Sequence, residues 1–147
     1  MLEPEKYLDI IKHTTLTAVD LILIKDKRIL VGLRKNQPAK NMWFTPGVRT
    51  FKYESQNDAF KRVAKDELGL ELNPLKKKLV GVYDHTYILN FKNSDFGTHY
   101  IVTAYIYKLN ENIEIRTDSQ HENFKWMTFE EIEFNQRVHR YVKNYIP

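Results

Sequence analysis

The segment from Trp43 to Leu70, WFTPGVRTFKYESQNDAFKRVAKDELGL, most narrows what this chain can fold into. Met42 to Thr45 is a short aromatic strand, stopped by the turn dipeptide Pro46-Gly47. Ser55, with Asp58 three residues on, has the form of a helix N-terminal cap, and Gly69 stands where a left-handed C-terminal cap belongs. Between them Ala59, Phe60, Val63 and Ala64 form one apolar face, with Arg62, Asp66 and Glu67 beside it. The result is strand, loop and amphipathic helix, with acidic residues concentrated at the helix's C-terminal end.

The remaining pattern surrounds this unit with strands. Glu5 to His13 is a helix-like or irregular lead-in, with apolar Leu8 and Ile11 and with Tyr7 near its start. Thr15 to Lys25 is apolar and β-branched, and Asp26-Lys27 turns it into a second strand, Ile29 to Leu33. Gln37 to Asn41 is a polar loop. Lys78 to Tyr87 and His99 to Leu109 are long strands, and Phe124 to Met127 is a short one. Thr128 to Glu131 starts a helical turn, and Asn135 to Tyr145 is expected to be a closing helix. With no repeat, linker or low-complexity stretch, residues 1–147 are expected to be one α+β domain, a mixed β-sheet sandwiched between helices.

Composition removes several functions. The chain has no cysteine, which excludes disulfides, thiolate zinc sites and a thiol nucleophile. No apolar run approaches the roughly 20 residues of a membrane span, and the N-terminus lacks a charged-then-apolar signal pattern, so a cytoplasmic protein without a membrane partner is expected. The net charge is +4, but the basic residues are dispersed except for Lys76-Lys77-Lys78. Such a short run fits a solvated strand end; a small anionic ligand, and no nucleic acid, is the expected partner.

From Val48 to Leu70 the chain resembles the signature of the Nudix hydrolases, G-x5-E-x7-R-E-U-x-E-E-x-G-U with U aliphatic. Glu54, Arg62, Glu67, Gly69 and Leu70 match, and Asp66 stands in for a Glu. Val48 replaces the first glycine and Val63 the first helical Glu, while Ala64 is small for its aliphatic position. Fragments outside the box carry the resemblance to one branch, the GDP-mannose mannosyl hydrolases. They are Val19-Asp20, Gly32-Leu33-Arg34, Asn36-x-Pro38-Ala39, Trp43-Phe44-x-Pro46-Gly47-x-Arg49, Gly81-Val82 leading to His85, Thr98-His99-Tyr100, and Gln120-His121 ahead of Trp126. Their order and spacing span nearly the whole chain.

That resemblance implies a Nudix fold and a Mg²⁺ ion, with Mn²⁺ as substitute, held by the Gly47 carbonyl, Glu67 and Gln120. It implies cleavage of the bond between the sugar's anomeric carbon and oxygen, with release of GDP from a GDP-hexose. His121 is the implied base, since an imidazole titrates near ~6.5. Arg34 and Arg49 would neutralise the departing diphosphate, and Tyr100 would donate to it. Asp20 and His85 correspond to positions near the sugar. Tyr7 corresponds to an early aromatic that stacks on the base, across the interface of an expected homodimer. Water directed at carbon leaves a helical carboxylate poised for phosphorus dispensable, which accounts for Val63.

Plainer roles compete for some of these residues. Glu54 and Arg62 suit a structural ion pair, and Trp43 and Phe44 suit a core. His99 alternates with Tyr100 along a strand and so faces the opposite side. Asp66, adjacent to Glu67, leaves open a second ion and a pyrophosphohydrolase that cuts the P–O bond of a nucleoside diphosphate derivative. The eroded box leaves open a non-catalytic nucleotide-sugar binding protein.

Overall fold

The structure is a computed structural model that describes residues 2–92, 95–110, 115 and 123–146. Strand β1 (Leu16–Lys25) passes through Asp26-Lys27, both in left-handed backbone at φ 51° and 60°, into β2 (Arg28–Leu33). Consecutive positive-φ residues match the twist of a two-residue hairpin, as this turn requires. β1 and β2 stay paired only at Ile24–Ile29 and Lys25–Arg28, and then separate. From there β2 runs against β7 (Phe124–Thr128), and its end pairs with β3 (Trp43–Phe44). The edge that β1 has lost is taken up by β4 (Gly47–Arg49), through Ala18–Arg49, Val19–Val48 and Asp20–Gly47. The sheet therefore forks, and the fork creates the space for a site.

The other edge of β1 runs parallel to β6 (Thr98–Lys108), which pairs antiparallel with β5 (Lys78–Tyr87). The sheet is mixed, as the pattern predicts, and both of its faces are covered. Val19, Leu21 and Leu23 of β1 pack with Ala59, Phe60, Val63, Ala64 and Leu68 of α2 (Gln56–Leu68). Ile22, between them in sequence, points the other way, into a cluster with Ile132, Val142 and Tyr145. A strand covered on both sides reads as a continuous apolar run, which explains the composition of β1.

Both caps of α2 fall where the sequence puts them. The Ser55 hydroxyl accepts from the Asp58 amide at 3.1 Å, and Gly69 adopts φ 66°. The lead-in is a regular helix, α1 (Pro4–His13), with its proline in the first turn, where the missing amide costs nothing. Thr128 and Glu131 form a reciprocal capping box on α3 (Phe129–Phe134).

The expected helix from Asn135 to Tyr145 is not formed; only α4 (Arg140–Lys143) is helical there. Competing hydrogen bonds account for the difference. Asn135 Oδ1 accepts from the Arg137 amide at 2.8 Å, and the next residues are drawn alongside β3. Trp43 N–H donates to the Arg137 carbonyl at 2.7 Å, and His139 N–H donates to that of Trp43 at 3.1 Å. Pro46-Gly47 likewise ends β3 without ending extended structure, because β1 offers a second partner. Among the described residues no helix is long and apolar enough to cross a membrane.

Candidate active site

The fork opens a cleft of about 130 Å³ that gathers candidate residues from six elements. Asp20 comes from β1, Arg34 from the end of β2, Gly47 and Arg49 from β4, Glu67 from α2, His85 from β5 and Tyr100 from β6. These seven, named from sequence, line one cavity although Asp20 and Tyr100 are far apart in the chain. Gln120 and His121 lie outside the described residues.

Asp20 is buried at 7% exposure. Burial pushes its carboxyl up to about 7, against the opposing hydrogen bond from Tyr145 and the charge of Arg34. Tyr145 donates its phenol proton to Asp20 Oδ2 at 2.6 Å. The Asp20 Oδ1 atom lies over Gly47: a Cβ added there would come within 2.2 Å of it and 3.3 Å of the Val19 carbonyl. His85 is stacked on Tyr141 with ring centroids 4.1 Å apart and planes 3° apart. Burial, then the neighbouring His139, lowers the His85 imidazole to about 4, so it is neutral at physiological pH.

The Gly47 geometry gives a direct test. Gly47→Ala places its methyl against a carboxylate that Tyr145 holds, so either that bond or the β1–β4 pairing must yield. The expected cost is about 1–3 kcal/mol of stability, as for other overpacked sites. Denaturant unfolding measures it; an unchanged midpoint would show that Asp20 turns away freely.

The cationic wall is fixed by backbone and aromatic contacts. Arg34 donates from Nε to the Pro38 carbonyl at 2.8 Å, and its guanidinium lies 5.8 Å from the Phe44 ring. The Arg49 guanidinium sits 4.8 Å from the Tyr7 ring and 5.3 Å from that of Phe51. Tyr7, on α1, stacks on Phe91 at 5.4 Å and shares a 3.1 Å hydrogen bond with the Tyr100 hydroxyl. These contacts place Tyr7 beside its own cleft. Burial, then the nearby Tyr7, pushes the Tyr100 phenol upward, so it stays protonated and able to donate.

Glu54 and Arg62 form the bracing pair, at 2.8 and 3.0 Å. Arg62 also donates to the Arg49 carbonyl at 2.7 Å, so the pair pins β4 to α2. The hydrogen bonds from Arg62 hold the Glu54 carboxyl below its usual range. The two other box acids diverge. Glu67 is half-buried, lines the cleft and has Oε2 shielded from solvent. Asp66 is exposed and does not line it. Val63 is fully buried in the core beneath β1. Val48 pairs with Val19 and packs against that core from extended backbone, where a side chain is no obstacle.

Tyr87 and Phe44 also line the cleft and escaped the sequence reading as site residues. Tyr87 was detectable by alternation, two residues after His85 on the same face of β5. Phe44 reads equally well as core, and it is 92% covered. Tyr145 gave no signal, because its partner Asp20 is 125 residues away. His99 bonds Asp84 at 2.9 Å, on the side opposite Tyr100 as alternation requires.

A forked mixed sheet, with an Arg-braced helix directing one carboxylate into the fork, defines a protein class. The chain belongs to the NUDIX domain family, whose profile matches residues 14–145. The low-salt glycan biosynthesis protein Agl8 of Haloferax volcanii is 33% identical over 137 residues, covering 93% of this chain and 83% of that protein. A MutT NUDIX hydrolase from Burkholderia pseudomallei shares the fold with a TM-score of 0.74 at 22% identity, over 90% of this chain and 96% of that one. The NUDIX domain of Shewanella oneidensis NrtR, solved with ADP ribose, superimposes with a TM-score of 0.68 at 14% identity, over 98% and 95% of the two chains.

Proposed function

We propose that this chain hydrolyses GDP-mannose, or a closely related GDP-hexose, to GDP and free sugar by attack of water at the anomeric carbon. One observation carries the reading. The cleft holds two guanidiniums for a diphosphate and a buried Asp20–His85 pair for a polyol, but only one box carboxylate, Glu67, lines it. A site for phosphorus attack needs further helical acids, whereas here Val63 is core and Asp66 is exposed. The glycan-biosynthesis name of the Haloferax relative supports a sugar-nucleotide substrate.

A Mg²⁺ or Mn²⁺ ion fits the donors present. Gly47 and Glu67 line the same cleft, and the Gly47 carbonyl and Glu67 carboxylate are hard oxygen donors of the kind such an ion takes. Among the described residues no three acidic or imidazole groups cluster as a metal site, so the diphosphate oxygens and Gln120 are proposed to complete the sphere. When bound, the ion neutralises charge on the diphosphate.

The residues of the chain do the rest. His121 removes a proton from water as its oxygen bonds to the anomeric carbon. The bond from that carbon to the glycosidic oxygen breaks, and its electron pair leaves on the diphosphate. Arg34 and Arg49 stabilise that charge, and the Tyr100 hydroxyl donates to the same oxygens. Asp20 and His85 bind sugar hydroxyls. A homodimer in the cytoplasm belongs to the same proposal.

Hydrolysis of GDP-mannose with Mg²⁺ in ¹⁸O-labelled water tests it. Label in the free sugar, with unlabelled GDP, is the expected result. Label in a phosphate would move the protein to the pyrophosphohydrolases, and Mg²⁺-dependent binding without products would make it a binding protein.

A further inference from the structure

We infer that Tyr145, which does not line the cleft, is the positioning residue of its sugar end, fixing Asp20 and His85 together through one phenol oxygen. The inference rests on the hydrolase reading above for its kinetic consequences, and on geometry alone for its hydrogen-bond consequences.

The phenol oxygen is shared between the two residues. It donates to Asp20 Oδ2 at 2.6 Å and lies 3.3 Å from His85 Nε2. Above the raised titration of Asp20, where its carboxylate accepts the phenol's single proton, the phenol can only accept from His85, so the ring carries its hydrogen on Nε2. The chain of donors then runs from His85 through Tyr145 to Asp20. All three side chains are buried, with exposures of 2%, 2% and 7%.

This arrangement decides which atoms are offered to a ligand. Tying back Asp20 Oδ2 leaves Oδ1 as the oxygen beside Gly47 and the cleft. Committing His85 Nε2 to the phenol leaves Nδ1 as an acceptor. A carboxylate oxygen and an imidazole nitrogen, both acceptors, are suited to a polyol that brings its own donors. Recognition built on such buried acceptors discriminates by leaving them unpaired when a hydroxyl is missing.

The phenol is itself held in place. The Tyr83 ring packs edge-on against Tyr145 at 5.1 Å. Tyr141, stacked on His85, donates to the Thr86 carbonyl at 2.7 Å and accepts from the Thr86 amide at 2.9 Å. These contacts tie the C-terminal segment to β5 at the level of His85. Tyr145→Phe keeps the packing and removes only the shared oxygen.

Two readouts test the inference. In ¹⁵N spectra of ligand-free wild-type protein at pH 8, His85 is expected as the Nε2–H tautomer. Tyr145→Phe should lose that preference while retaining its near-ultraviolet dichroism. A wild-type Nδ1–H tautomer, or unchanged populations in the variant, overturns the hydrogen-bond assignment. In kinetics, Tyr145→Phe should lower kcat/KM for GDP-mannose by roughly tenfold or more, the scale of a lost bond to a charged group. Its inhibition constant for GDP should stay within about twofold, because the diphosphate end is untouched. Equal losses in both quantities overturn the assignment to the sugar end. A wild-type enzyme that releases GMP refutes the hydrolysis reading instead, and the tautomer result still decides the role of Tyr145.

Discussion

His121→Ala is expected to lower kcat for GDP release by roughly 10²–10⁴-fold, the usual cost of losing a general base. The chain has five histidines, and the contacts of the other four leave none suited to the task. His85 lies in the cleft, but burial lowers it to about 4, which makes it a weak base at neutral pH. His139 is also lowered to about 4 by burial and packs on Phe44 at 4.8 Å. His99 is bonded to Asp84, and His13 is paired with Asp9 at 3.4 Å on exposed α1. The pH dependence carries the sign of the assignment. A base must be deprotonated to act, so kcat should fall as pH drops through its pKa, and the variant should lose that limb. A decrease below threefold in kcat would remove His121 from the mechanism. Asp20, whose carboxyl is pushed up to about 7, would then be the next base to test.

Different parts of this molecule were legible in the sequence to different degrees. The β1–β2 turn, the caps of α2 and the alternation of His99 with Tyr100 are local, and local chemistry sets them. Seven candidate residues converge on the cleft, yet no periodicity or spacing brings Asp20 to Tyr100. Resemblance supplied that juxtaposition, since pairing of β1 with β6 over so large a separation is a tertiary choice. The closing helix failed for a related reason. A helix is expected from Asn135 onward, but the open edge of β3 offers backbone bonds to Arg137 and His139 that draw the segment alongside it. Tyr145 is invisible to any window because its function lies in one long-range hydrogen bond. The burial of Val63 followed from the apolar face of the helix, but the divergence of Asp66 from Glu67 needed the structure, because a helical wheel cannot say which flank meets the cleft.

Val63→Glu, which restores the missing letter of the box, is expected to damage this protein and to leave its chemistry unconverted. The side chain is fully buried, within a cluster formed by Val19, Leu21, Ala59, Phe60 and Leu68. An ionised carboxylate there is desolvated, and one turn along the helix stands Glu67, a second acid on the same side. The expected loss is about 2–5 kcal/mol, in the range of an unpaired buried charge. That is a large part of the roughly 5–15 kcal/mol that holds a domain folded. The penalty should shrink as pH falls, because protonation removes the desolvated charge. Divalent cation should reduce it only if the new carboxylate reaches the cleft. Thermal unfolding at two pH values, with and without Mg²⁺, separates these cases. An undiminished melting temperature, together with ¹⁸O entering phosphate, would mean that the core opens and α2 still supports a phosphorus-directed site. The burial of Val63 would then explain nothing about which bond is cut. The opposite result, a destabilised variant that still releases unlabelled GDP, ties the choice of bond to the same packing that closes the core.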